Sequence, residues 1–158
     1  MAMETSSEIV KLLNGLLTTE LRAINQYFLD SKLAAHWGYG QLAKELRDAS
    51  FEEMNDAEAL MDRILLLGGL PNLQRVEAFT AGEDVQEQFH LAGELEAKAI
   101  EQLHAGINEA ETSGDHGTAQ MLREMLVEEE RQLEWIETQL GLIEAVGEAN
   151  YLSQKINA

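Results

Sequence analysis

Four glutamates occupy positions where a helical bundle would bury leucine, and they form two pairs of equal spacing. Glu20 and Glu53 are 33 residues apart, as are Glu96 and Glu129. Each lies in an apolar stripe of helical period. The stripe around Glu20 is Ile9, Leu13, Leu16, Leu17, Ile24 and Tyr27, and that around Glu53 is Leu42, Leu46, Ala49, Ala57, Leu60 and Ile64. Around Glu96 stand Val85, Phe89, Ala92, Ile100, Leu103 and Ile107; around Glu129 stand Leu122, Met125, Leu126, Leu133, Ile136 and Leu140. At about 100° per residue, each neighbour falls within about 60° of its glutamate. An ionised carboxylate there is costly unless it is paired or bound to metal. Four converging ones cannot all ionise without cations among them. No Lys or Arg occupies any of the stripes. A buried salt-bridge network would therefore have to draw its counter-charges from the flanks, whereas a metal centre needs none.

Dinuclear carboxylate sites in helical bundles follow a general template: one Glu from each of two helices, and Glu-x-x-His from each of the other two. On that template Glu20 and Glu96 come from the first and third helices. Glu53 and Glu129 come from the second and fourth as bridging carboxylates. Three residues further on, where imidazole belongs, stand Asp56 and Gln132. Asp56 is shorter than histidine and reaches a metal through water, while a Gln132 carbonyl is a weak, neutral ligand. Both also suit a polar boundary, since each lies about 60° off its stripe. Tyr27 either hydrogen-bonds a carboxylate or fills the core. In the run Glu128-Glu129-Glu130 only Glu129 faces inward.

Two literal matches to Glu-x-x-His exist, at Glu87–His90 and Glu101–His104. Both fall on the third helix with their glutamates roughly 21 Å apart along its axis, too far to share one site. They read as surface coincidences in an acidic helix, with His104 nearest the inward face.

The elements that must position these groups follow from punctuation. A first helix is expected at about 6–36, capped by Ser6 or Ser7, and a second at about 41–67 after the turn Trp37-Gly38-Tyr39-Gly40. The longest irregular stretch runs from Gly68 through Pro71 to Gly82. Further helices are expected at about 84–112, 116–146 and, beyond Gly147, 148–156. Two antiparallel hairpins joined by a long crossover give an all-α, up-down-down-up four-helix bundle with a short C-terminal fifth helix, a single domain over 1–158.

Composition bounds the chemistry. With 158 residues, 45% hydrophobic and 6% aromatic, the chain can bury a real core of Leu, Ile, Ala and Met. There is no cysteine, so any metal is held by oxygen or nitrogen. A net charge of −18 argues against nucleic acid and suits a protein that attracts cations. No signal-peptide pattern and no run of 18 apolar residues occurs, so no membrane association is expected and a cytoplasmic location is the default.

The chain also resembles the bacterioferritin family. The resemblance is carried by Ala23-Ile24-Asn25-Gln26-Tyr27-Phe28-Leu29, Arg63-Ile64-Leu65, Gly69-Leu70-Pro71-Asn72-Leu73-Gln74, Trp135-Ile136-Glu137-Thr138-Gln139-Leu140 and Asn150-Tyr151-Leu152, in order and across almost the whole chain. It implies a ferritin-like fold, a 24-subunit shell, Fe(II) oxidation and storage of a ferric mineral. It also implies haem b at two-fold interfaces, ligated by one methionine from each partner. The matching methionine here is Met54, with Leu21, Asn25 and Phe28 as haem-pocket neighbours. The family's di-iron site resembles the carboxylate set above with two histidines added, and both are replaced in this chain. That departure implies an impaired ferroxidase: a haem-bearing subunit that co-assembles with a ferroxidase-active subunit and accepts electrons from a ferredoxin-like reductant.

Two other readings compete. One is a working ferroxidase with an all-oxygen site; the other is a structural or metal-binding shell with neither chemistry. A DNA-protecting shell fits poorly, given the fifth-helix segment and the acidic charge.

Overall fold

The computed structural model describes residues 7–157, with the Ser7 side chain left out, so the cap expected at Ser6 or Ser7 falls outside what is described. The described residues form five helices: α1 (Ser7–His36), α2 (Gly40–Leu66), α3 (Val85–Thr112), α4 (His116–Val146) and α5 (Glu148–Ser153). The segment between α2 and α3 is neither helix nor strand. Asp84 caps α3 by accepting from the Glu87 N–H at 2.8 Å, and Asp115 caps α4 by accepting from the Thr118 N–H at 3.1 Å. Gly38, Gly68 and Gly114 stop α1, α2 and α3 in the positive-φ conformation that glycine adopts without a Cβ clash.

α5 is shorter than the sequence suggests. It stops at Ser153 because Lys155 is drawn sideways onto α2, where its carbonyl accepts from the Gln41 N–H at 2.9 Å and its ammonium meets Glu45 at 3.0 Å. Tyr151 is buried beside Phe89 and donates its hydroxyl proton to Gln139 Oε1 at 2.7 Å, which ties α5 across the end of the bundle.

The connection order follows from cross-chain contacts. The Ser50 hydroxyl bonds the Ile24 carbonyl, and Arg47 lies over the Phe28 ring, so α2 runs antiparallel to α1. The crossover then climbs along α1. Asn14 holds its start at Leu70 and Asn72, Glu77 meets Arg22 and Lys98 in its middle, and Gln26 reaches Thr80 near its end. α3 therefore starts at the end where α1 finishes, and α4 returns beside it. Arg63 closes the opposite end: its Nε donates to Thr118 Oγ1 and its Nη2 to Asp115 Oδ1, both at 2.9 Å. The result is an up-down-down-up bundle.

Its interior is two apolar clusters. One gathers Tyr27, Leu42, Leu46, Phe89, Ile136 and Tyr151. The other gathers Leu13, Leu17, Leu60, Ile64, Leu103 and Leu122. The four glutamates fall between them along the sequence of each helix.

Candidate metal centre

The apolar stripes that pack the helices leave their middle turns facing one another, and there the core changes from leucine to carboxylate. Glu20 on α1, Glu53 on α2, Glu96 on α3 and Glu129 on α4 are each no more than 4% exposed. Glu20, Glu53, Asp56 and Glu129 each bring a carboxylate oxygen to within 4.8 Å of the others, a set able to hold a cation. Glu96 is outside that set, and its Oε1 accepts the Tyr27 hydroxyl proton at 2.5 Å. Gln132, half-buried on α4, donates from Nε2 to the Tyr27 oxygen at 3.2 Å.

Electrostatics makes this a site that wants positive charge. Burial, then the charges of neighbouring carboxylates, holds the Glu20 and Glu53 carboxyls well above the usual range. Burial and Glu129 push Asp56 up to about 8. Burial, opposed in part by hydrogen bonding, takes Glu96 to about 8, and burial with Glu96 nearby takes Glu129 to about 10. Burial and the Glu96 charge raise Tyr27, so it stays a phenol at neutral pH. The Oε2 atoms of Glu20, Glu53, Glu96 and Glu129 are buried without a hydrogen-bond partner. Four acceptors stranded in one layer are costly as they stand. Hard divalent cations satisfy such oxygens and displace the protons that burial would otherwise retain.

A cleft of about 470 Å³ reaches the layer from outside, lined by Glu52, Asn55, Asp56, Glu128, Arg131, Gln132 and Trp135. Burial, with Glu128 and Asp48 nearby, raises the Glu52 carboxyl. Cations thus meet acidic groups before they meet the buried set. Of this lining, sequence periodicity marked Asp56 and Gln132 but not Glu52 or Glu128, which lie off the stripes. Their place immediately before the in-facing Glu53 and Glu129 is the signal that could have found them.

The remaining sequence candidates are elsewhere. His90 and His104 are exposed on α3 and their glutamates are not part of the buried set. Met54 is 48% exposed on the outer α1/α2 face, next to similarly exposed Phe51 and Phe28, with Arg47 stacked over both rings. The α1/α2 pairing that sets Ser50 against Ile24 carries Met54 alongside Leu21. Leu21, half-buried, and Asn25, exposed, also line a 150 Å³ hollow under the crossover with Leu73 and Val76.

Among the described residues no helix is long and apolar enough to cross a membrane. The ferritin-like domain model matches residues 10–146. The chain is similar to the bacterioferritin of Streptomyces coelicolor, with 46% identity over 154 residues, covering 98% of this chain and 92% of the relative. It is 41% identical over 155 residues to the bacterioferritin of Mycobacterium leprae, covering 98% of both. Similarity to the bacterioferritin of Brucella melitensis is 38% over 151 residues, covering 94% of this chain and 92% of the relative.

Proposed function

The chain belongs to the bacterioferritin family, and from that premise we propose that it is an intracellular iron-storage subunit that binds haem through Met54 and oxidises Fe(II) slowly or not at all by itself. One observation carries the second half of this reading. The four buried glutamates retain an unpartnered oxygen apiece, while the two positions expected to supply imidazole hold Asp56 and Gln132. The centre keeps its attraction for cations and loses its neutral nitrogen donors. Replacing those donors with a carboxylate and an amide alters the balance between Fe(II) and Fe(III) on which oxidation depends.

Iron is cargo in this reading. Glu20, Glu53, Glu96 and Glu129 would receive it, with Asp56 as an added anionic ligand and Gln132 as a marginal one. Haem b, when bound, supplies a one-electron carrier. Met54 would ligate it from one subunit and the same residue of a second copy from the other, with Leu21, Asn25 and Phe28 against the ring. The shell would contain 24 subunits in the cytoplasm, mixed with a ferroxidase-active subunit type. A ferredoxin-like reductant would feed the haem to release stored iron.

Two measurements test the reading. Stopped-flow absorbance should show slow Fe(II) oxidation by the homomeric protein and a rate at least tenfold higher in the Asp56→His/Gln132→His double variant. Equal, fast rates would establish the alternative, an active ferroxidase with an all-oxygen site. For haem, titration should give a Soret band with half an equivalent per chain, lost in Met54→Leu. Retention of that band in the variant would remove Met54 from the ligand set.

A further inference from the structure

Asp56 and Gln132 hold equivalent places, each three residues after a buried glutamate on α2 or α4, yet their side chains do opposite things. Asp56 contributes a carboxylate oxygen to the set formed with Glu20, Glu53 and Glu129, all within 4.8 Å of one another. Gln132 turns its amide nitrogen to the Tyr27 hydroxyl at 3.2 Å, and that hydroxyl is bonded to Glu96 Oε1 at 2.5 Å.

The polarity of this chain is fixed by what each group can do. The phenol donates its single proton to Glu96 Oε1. The phenol oxygen then acts as an acceptor toward Gln132, which must present its NH₂. An amide nitrogen has no lone pair for a metal. Glu96 is left with one of its oxygens already engaged, and no fourth-helix donor replaces the missing imidazole beside it. On the Asp56 side a carboxylate stands in the place of the imidazole, and Glu20, Glu53 and Glu129 each keep a buried Oε2 without a partner, as Glu96 does. What sets Glu96 apart is that its Oε1 already accepts from Tyr27.

We propose that the centre is mononuclear: Glu20, Glu53, Asp56 and Glu129 hold one oxygen-preferring divalent cation, and the Gln132–Tyr27–Glu96 chain closes the second position. This rests on the metal reading of the centre made above and specifies its stoichiometry. A cation with four carboxylate ligands and no nitrogen belongs to the hard class, of which Mn²⁺ is a convenient probe. A single ion also has no neighbour with which to share the two electrons that paired iron can deliver together, so this stoichiometry would slow oxidation through the number of ions as well as through their ligands.

The test is Mn²⁺ binding to the assembled, metal-stripped protein, by equilibrium dialysis with elemental analysis and by electron paramagnetic resonance. A Glu20→Gln/Glu129→Gln variant measures the background taken up by the acidic surface. The expected result is one Mn²⁺ per chain above that background, with the six-line spectrum of an isolated ion. Gln132→His should raise the count to two and produce an exchange-coupled signal. Should that variant fail to fold, Tyr27→Phe supplies the same test by releasing Glu96. Two coupled ions in the unaltered protein would overturn the proposal while leaving the metal centre standing, and so would a count that neither variant changes. No Mn²⁺ above background would overturn both.

Discussion

Asp30 lies one turn beyond Tyr27 on α1, fully buried, with Oδ1 accepting from Gln26 Nε2 at 3.3 Å and Oδ2 unpartnered. Burial pushes its carboxyl up to about 7, against the partial relief from Gln26. In an unfolded chain the same group titrates near ~3.9. The folded state therefore holds the proton more tightly, and the contribution of Asp30 to stability is greatest below about pH 4 and is lost as pH rises through the folded value. Once pH exceeds about 7 the full penalty applies, of the order of 4 kcal/mol. Asp30→Asn should accordingly stabilise the protein at pH 8 and make little difference near pH 4, measured as the difference in thermal midpoint across that range. A constant difference would mean that Asp30 finds a charge partner in the assembled protein. Sequence periodicity identified the four glutamates because each sits in the middle of its stripe. Asp30 escaped because it lies roughly 80° from Glu20, where a lone acid reads as solvated. The turn of Gln132 toward Tyr27 was not legible at all, since it is decided by rotamers on two helices that are 105 residues apart.

At the scale of the elements, the closest engineered-looking contact is where α2 ends against the start of α4. Arg63 lies across Gly117, and a Cβ there would stand 2.5 Å from Nη2 and 3.1 Å from Cζ. A Cβ here requires the Arg63 guanidinium to shift. Gly117→Ala should gain up to about 1 kcal/mol in helix propensity but lose more by displacing Arg63 from Thr118 and Asp115. Charge-assisted hydrogen bonds of that kind contribute roughly 1.5–3 kcal/mol each. Chemical denaturation should show net destabilisation, and the penalty should vanish when Arg63→Met is already present, the signature of a coupled pair. The helices themselves were readable from apolar period and glycine placement, and α2, α3 and α4 begin and end within a residue of the expected positions. The Arg63 partnership was not, because a 52-residue separation leaves no local trace. Neither was the early end of α5, which Lys155 imposes through α2.

The whole molecule carries a net charge of −18 alongside exposed Phe28, Phe51, Met54, Leu70 and Val76. Apolar patches favour association, and the charge opposes it by a repulsion that salt screens. Sedimentation should find the assembled form favoured at about 0.5 M ionic strength, where screening is within a few ångströms, and smaller species enriched near ~0.01 M, where it extends to about 30 Å. An assembly indifferent to salt would mean that the interfaces neutralise the acidic surface by direct pairing. Within each chain the carboxylate layer has a different consequence. Helices packed by leucines alone can slide past one another by a turn and still bury oil against oil. Here a slip of one turn, about 5.4 Å, would drive a glutamate into one of the two apolar clusters, at a cost of several kcal/mol. The layer is therefore an index mark as well as a receptacle. A bundle with four leucines in its place should pack more tightly and choose its alignment less surely.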